Sequence, residues 1–156
     1  QVSGLPGGMS GPEEYTEEFI FTPGQVTLTQ TQGFARRIYT DGRKHHVGPV
    51  SLMGDAIGHW EGQTLVVDTV GLDAGNEVFY GFIGGKNMHM IERMTLKSPN
   101  TLEIVTSLEA PEILTAPASY TINYKRERDW TPLEMDCAQN NRSVDDKGNQ
   151  SMRIER

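Results

Sequence analysis

The stretch GDAIGHWEGQTLVVDTV, residues 54–70, decides the fold because it holds a turn signal between two runs of strand-forming residues. Glu61 and Gly62 stand between the runs. Glycine at the second position of a two-residue turn accepts a positive φ without steric cost, and such turns match the twist of the flanking strands. We therefore predict a β-hairpin with strands at 55–60 and 63–70.

The position of the turn also predicts which side chains share a face of the hairpin. The predicted opposite pairs are Trp60 with Gln63, Gly58 with Leu65, and Ala56 with Val67. One face then carries Trp60, Leu65 and Val67, and the other carries His59, Val66 and Asp68. A three-residue turn is the alternative, and it would move one strand's side chains relative to the other's.

Turn residues divide the rest of the chain into further short strands. The predicted strands are 19–22, 25–30, 34–40, 88–97, 101–109, 119–128 and 133–137, with turns at Pro23-Gly24 and Ser98-Pro99-Asn100. The segment 72–87 is rich in glycine and aromatic residues, and we predict a long packed loop that covers a site. No segment has sustained helical periodicity.

About eight short strands joined by turns predict an all-β fold. We expect an antiparallel up-and-down barrel of the calycin or lipocalin type, with a β-sandwich as the alternative. Closure is favoured because it leaves no exposed strand edge, and a barrel of this size can hold one small ligand. A single domain is predicted over 1–156, with an irregular arm at 1–18 and a polar tail at 139–156.

Composition limits the partners and the location. The net charge of −7 argues against nucleic acid and anionic membranes, and no run is long and apolar enough for a membrane-spanning helix. The chain starts at Gln1 rather than Met, so we expect a secreted mature chain, with Asn141 as a candidate glycosylation site. Cys137 is the single cysteine, and it cannot form an intrachain disulfide.

Strand alternation places a carboxylate on an apolar face. Met88, Met90, Glu92, Met94 and Leu96 share one face of the predicted strand 88–97. An unpaired buried carboxylate is costly. Glu92 is therefore either the partner of an arginine, with Arg36 as the candidate, or a general acid or base in an apolar pocket.

Other ionisable and aromatic residues each allow a structural and a functional interpretation. His89 is either a structural hydrogen-bonding residue or a proton-transfer group, and Asp68 is either the polar end of a strand or a partner for Arg37 or His59. The large aromatic side chains are either core residues with polar tips or the walls of a ligand cavity; they are Trp60, Tyr39, Tyr120 and Tyr124.

Motif searches predict that the protein uses no cofactor and holds no metal. The sequence contains no phosphate-binding glycine loop, no dinucleotide fingerprint, no G-x-S-x-G elbow and no H-E-x-x-H pair. A site built from three of the four histidines is a minor alternative.

Several longer motifs resemble a family of small secreted β-rich proteins that is widespread in bacteria and has fungal members. They are TPGQVTL at 22–28, RRIYTDGRKH at 36–45, MGDAIGHWEGQTLVVDTVG at 53–71, HMIERM at 89–94 and CAQNNR at 137–142. Bacterial members often carry a cysteine before the early LP-x-GM segment, which could pair with the later one. Here that position is Gly4, so the disulfide that the resemblance implies is lost.

Fungal relatives of this type resemble the hetero-Diels–Alderases of tropolone–sesquiterpenoid biosynthesis. The resemblance implies a cofactor-free addition of a quinone-methide-type diene to a terpene alkene, with apolar small molecules as substrates. Chemistry and strand phase suggest Glu92, His89 and Asp68 for proton transfer, Arg37 and Tyr39 for holding the oxygenated ring, and Trp60 and Tyr124 as walls. A carrier of an apolar molecule, or a small-molecule isomerase or hydrolase, remains as an alternative, and the oligomeric state is left open.

Overall fold

The computed structural model describes residues 17–30, 35–46, 48–72, 77–79, 82–83, 87–129, 142–144 and 150–152. Every regular secondary-structure element within these residues is a β-strand, which confirms the all-β prediction. No described segment is a helix that could cross a membrane. The strands are β1 (Glu17–Thr22), β2 (Gln25–Gln30), β3 (Arg36–Tyr39), β4 (Asp55–Glu61), β5 (Thr64–Val70), β6 (Glu77–Phe79), β7 (Phe82–Ile83), β8 (His89–Ser98), β9 (Thr101–Glu109), β10 (Ala118–Lys125), β11 (Arg142–Val144) and β12 (Gln150–Met152).

Eight of these strands form one sheet that curls into a half-barrel. The order is β1-β2-β3-β4-β5-β8-β9-β10, so β1 and β10 stand at its two ends. All neighbours are antiparallel except β3 and β4, which run parallel with Ile38 opposite Ala56. The prediction of an entirely antiparallel meander is therefore wrong at this pair. The segment 40–54 passes from the end of β3 to the start of β4, as a parallel connection requires.

The central hairpin has the predicted faces but a different turn. Glu61 pairs with Thr64 and Trp60 pairs with Leu65, so the turn residues are Gly62 and Gln63 rather than Glu61 and Gly62. Gly62 adopts a φ of +61°, which favours glycine at the first turn position. The predicted pairing is thus displaced by two residues. Side chains alternate with a period of two, so a two-residue displacement leaves every side chain on its predicted face.

The other predicted strands are confirmed with small changes at their ends. The turn Pro23-Gly24 joins β1 to β2, and β8 joins β9 through Pro99 and Asn100. β1 begins at Glu17, inside the predicted irregular arm, and β10 ends at Lys125 rather than at residue 128. The predicted strand 133–137 lies outside the described residues.

Two segments predicted without regular structure contain short strand pairs. Within the predicted loop 72–87, β6 pairs with β7. Within the predicted polar tail, β11 pairs with β12. The loop prediction was wrong for β6 and β7, and the prediction of a polar tail did not include β11 and β12. Strands of two or three residues give too little periodic pattern to be predicted from sequence.

The buried face of the half-barrel, here called the inner face, holds two apolar clusters. The first contains Val26, Leu28, Ile38, Ala56, Leu65, Val67, Met94 and Ile104. The second contains Leu72, Met88, Met90, Leu108 and Ala110. Buried polar side chains also occur on this face, and they are Arg36, Thr69, Glu92 and Thr106. The opposite, outer face carries the alternate residues of each strand.

Candidate functional site: an apolar pocket and two separate polar groups

A cavity of about 530 Å³ opens at one end of the half-barrel. Its walls come from six strands and from residues that follow β4, β8 and β10. They are Glu17, Glu18, Phe19, Phe21, Trp60, Gln63, Leu65, Met94, Leu96, Asn100, Thr101, Leu102, Tyr124, Lys125, Arg126 and Glu127. Both end strands of the sheet contribute, so the pocket lies between β1 and β10. Its volume falls in the range of about 300–1,000 Å³ that is typical of small-molecule sites.

Large apolar side chains in this pocket are open to solvent. Phe21 is 62% exposed, Trp60 is 53% exposed and Leu96 is 51% exposed. All three line the cavity. Exposing aromatic and aliphatic surface to water costs free energy, and this free energy is recovered when an apolar ligand covers that surface. These exposed apolar side chains favour the binding of an apolar molecule, although charged residues such as Glu18 and Lys125 also line the pocket.

Tyr124 and Glu17 supply polar groups within this apolar lining. Burial raises the pKa of Tyr124 above its usual range, and the negative charges of Glu17 and Glu92 and the neighbouring Tyr120 act in the same direction. Burial also raises the pKa of Tyr120, to about 12, against the opposing effect of a hydrogen bond with Thr106. A tyrosine phenol is neutral at physiological pH, and these shifts in pKa extend its neutral range to higher pH. A neutral phenol can donate a hydrogen bond.

Arg36 and Glu92 form a bidentate ion pair on the inner face. Nη1 of Arg36 donates to Oε1 of Glu92 at 3.1 Å, and Nη2 donates to Oε2 of Glu92 and to Oγ1 of Thr69, the latter at 3.1 Å. Glu92 is fully buried and Arg36 is 4% exposed. The predicted alternative of an Arg36 partner for Glu92 is confirmed. Glu92 is not among the residues that line the pocket.

The outer face carries a row of alternating carboxylates and imidazoles. Oδ2 of Asp55 lies 3.0 Å from Nδ1 of His45 and accepts a hydrogen bond of 2.7 Å from the backbone N–H of His46. Oδ1 of Asp68 lies 2.7 Å from Nε2 of His89. Nε2 of His45 is 3.2 Å from the same oxygen, without the orientation of a hydrogen bond.

This row, which we call the imidazole–carboxylate row, ends at Glu109. Nδ1 of His89 lies 3.8 Å from Oε2 of Glu109. The row joins the segment after β3 to strands β4, β5, β8 and β9. Its members are Asp55, His45, Asp68, His89 and Glu109. Among the described residues, no group of three or more His, Cys, Asp and Glu side chains is arranged to hold a metal ion.

The predicted site residues thus fall into three places. Asp68 and His89 are in contact on the outer face, whereas Glu92 is sealed on the inner face, so the sheet separates the three groups assigned to proton transfer. Trp60 and Tyr124 line the pocket as predicted.

Arg37 and Tyr39 lie away from the pocket. Arg37 is exposed on the outer face, where it is opposite Thr27 in β2. The guanidinium of Arg43 lies 3.8 Å from the ring centre of Tyr39. The structure therefore does not bring Arg37 and Tyr39 together with Trp60 and Tyr124.

Sequence reasoning missed two groups of residues. Phe19 and Phe21 line the pocket, and their spacing of two in a strand was a usable signal. His45 and Asp55 are ten residues apart, and no local periodicity indicated that they would meet.

Comparison of the chain with protein-family models, with curated protein sequences and with solved structures found no match. The resemblance that the sequence motifs suggest therefore remains an expectation.

Proposed function

We propose that the pocket binds apolar small molecules and that the protein uses it, without a cofactor, to promote a hetero-Diels–Alder addition of a quinone-methide-type diene to a terpene alkene. The observation that carries the binding part is the 530 Å³ cavity with solvent-open Phe21, Trp60 and Leu96 in its walls. The choice of reaction follows from the resemblance to the fungal hetero-Diels–Alderases. In this proposal the protein is secreted and its partners are apolar small molecules.

The chemistry of the addition itself requires no acid–base group of the protein. A hetero-Diels–Alder reaction forms one carbon–carbon and one carbon–oxygen bond from the π electrons of the reactants, with no net proton or electron transfer. Holding both reactants in reacting geometry can contribute about 7–11 kcal/mol in favourable cases, and an apolar wall keeps water from the diene. The proposal takes the diene as already formed by loss of water from its alcohol precursor.

Tyr124 is the group that we assign to the oxygen of the diene. Tyr124 lines the cavity, and its phenol, which like that of any tyrosine is neutral at physiological pH, can donate a hydrogen bond to a carbonyl-type oxygen. Such a bond draws electron density from the diene and speeds its reaction with an electron-rich alkene. Trp60 and Leu65 pair across the hairpin and provide an apolar wall beside the reactants.

The test mixes the purified protein with humulene and a tropolonic alcohol precursor, under conditions in which the alcohol loses water spontaneously to give the diene. Product amount and stereochemistry are compared with a protein-free control, in which slow formation of adduct shows that the diene is present. We expect faster formation of one stereoisomer. The Phe21→Ser variant should lose most of the acceleration, whereas Ile20→Ser should keep it. Ile20 is a matched control because it is exposed on the same strand but does not line the pocket. An unchanged rate and product ratio with the wild-type protein would reject the cycloaddition.

A carrier of an apolar molecule is the second candidate. The open, solvent-exposed wall of the pocket favours it, because a carrier must exchange its ligand with the surroundings. A carrier would bind humulene saturably without accelerating its conversion. Binding can be followed by the fluorescence of Trp60 after Trp130→Phe, since the chain has two tryptophans.

An isomerase or hydrolase has less support from the geometry. Either would need a general acid or base beside the substrate. Glu92 is sealed in its ion pair, and Asp68 and His89 face away from the pocket. The acid or base would therefore have to be one of the glutamates that line the pocket, Glu17, Glu18 or Glu127.

A further inference from the structure

The Arg36–Glu92 ion pair spans the inside of the curl. Arg36 is on β3 and Glu92 is on β8, and strands β4 and β5 lie between them in the sheet. Three strand spacings correspond to about 14 Å in a flat sheet, where side chains stand nearly parallel. The two groups meet at hydrogen-bonding distance because the curl directs both toward the axis of the half-barrel. The pair therefore bridges the two sides of the curled sheet, and we call this link between Arg36 and Glu92 the chord.

Both ends of this chord adjoin the wall of the pocket. Met94, the next inner-face residue after Glu92 on β8, lines the cavity. On the other side, Arg36 is opposite Leu28, which is opposite the pocket residue Phe19. A change in the length of the chord would therefore move the β1–β2 side of the pocket relative to the β8–β10 side.

A buried ion pair constrains the relative position of its two side chains more than it stabilises the fold. Replacing such a pair by apolar residues of similar volume is often neutral or stabilising, because desolvating two charges offsets much of their attraction. Apolar contacts, however, allow a range of separations, whereas a bidentate guanidinium–carboxylate pair has a fixed geometry. Thr69 restricts the guanidinium further by accepting a hydrogen bond from Nη2.

We infer that Arg36 and Glu92 are positioning residues that set the width of the pocket and thereby its selectivity among apolar ligands. This inference rests on the proposed binding function of the pocket. The pair acts through the curvature of the sheet, since neither residue lines the cavity.

The test compares the wild type with the double variant Arg36→Met/Glu92→Met. Spin labels at Ile20→Cys on β1 and Asn123→Cys on β10, with Cys137→Ser, report the distance between the two end strands without any ligand. We expect a broader or longer distance distribution in the double variant. Affinities for N-phenyl-1-naphthylamine and for humulene should fall by about tenfold, and their ratio should change, at a temperature where both proteins are folded.

Glu61→Gln is the control for this experiment. It breaks the ion pair with Arg93, which joins β4 to β8 on the outer face at 2.7 Å and is about half exposed. The distance and both affinities should remain those of the wild type. If the double variant does not fold, Arg36→Lys keeps the charge, loses the bidentate geometry and is expected to give the same shifts.

The outcomes separate this inference from the proposed function. An unchanged distance distribution together with an unchanged affinity ratio in a folded variant would overturn the positioning role. A wild type that binds neither probe would reject the proposed function, and the label distances alone would then decide whether the pair sets the curl.

Discussion

Replacing Glu92 by Gln is expected to destabilise the protein strongly without changing the volume of the core. Gln occupies nearly the same space as Glu, so the change removes a charge and creates no cavity. Arg36 would remain at 4% exposure with its positive charge uncompensated, and its other side-chain hydrogen bond goes to a neutral group, Oγ1 of Thr69. Removing one partner of a buried ion pair costs about 3–5 kcal/mol.

That loss is large against the total stability of a domain of this size. Globular domains are stable by about 5–15 kcal/mol, and at this length each kcal/mol corresponds to about 2–4 °C in Tm. We therefore expect Tm to fall by about 10 °C and the midpoint of urea unfolding to fall with an unchanged slope. Glu61→Gln, which breaks the exposed pair with Arg93, should have a small effect because water screens that pair.

The outcome also bears on how the interior is held together. A loss below about 1 kcal/mol for Glu92→Gln would mean that Arg36 finds water or another acceptor when the carboxylate is removed. The ion pair would then not be sealed as the burial of both residues indicates, and the reasoning from burial would be refuted.

Two further predictions concern the tyrosines of the inner face and the outer-face row. The folded protein should lose stability as the pH rises above about 10, because tyrosines of the unfolded chain ionise there whereas burial raises the pKa of Tyr120 to about 12 and also raises that of Tyr124. Tyr124→Phe should reduce this loss of stability, and an equal alkaline loss in that variant would contradict the assignment. His45→Gln should speed hydrogen exchange at the backbone amide of His46 by about fivefold, since Asp55 contacts both the imidazole of His45 and that amide. As a control, His46→Gln changes an exposed side chain. The backbone amide of Ser51, which donates to the carbonyl of Gly71, should exchange as slowly in this variant as in the wild type.

Much of the local structure followed from short-range patterns. The strands on either side of Pro23-Gly24 and the faces of the central hairpin were predicted because both depend on turn residues and on alternation with a period of two. The error in the hairpin turn shows the limit of this reasoning. Glycine tolerates a positive φ at either turn position, so Glu61-Gly62 and Gly62-Gln63 could not be distinguished locally.

The candidate site was predictable only in part. Alternation placed Glu92 on the buried face, and the cost of burying a charge left either a pair with Arg36 or a general acid or base. The structure shows the pair with Arg36. The same alternation placed Asp68 and His59 together, but the partner of Asp68 in the structure is His89 on β8. That contact depends on β8 pairing with β5, which no residue near Asp68 indicates.

The sequence by itself determined the positions of the longer strands, the turn at Pro23-Gly24 and the faces of the central hairpin, because these properties depend on neighbours within a few residues. Tertiary structure alone decided the parallel pairing of β3 with β4, the half-barrel and the separation of Glu92 from Asp68 and His89. The physical reason is that the order of strands and the curl of a sheet depend on contacts between residues far apart in the chain. Arg36 and Glu92 are 56 residues apart, and they come into contact only when β3, β4, β5 and β8 are assembled in the sheet.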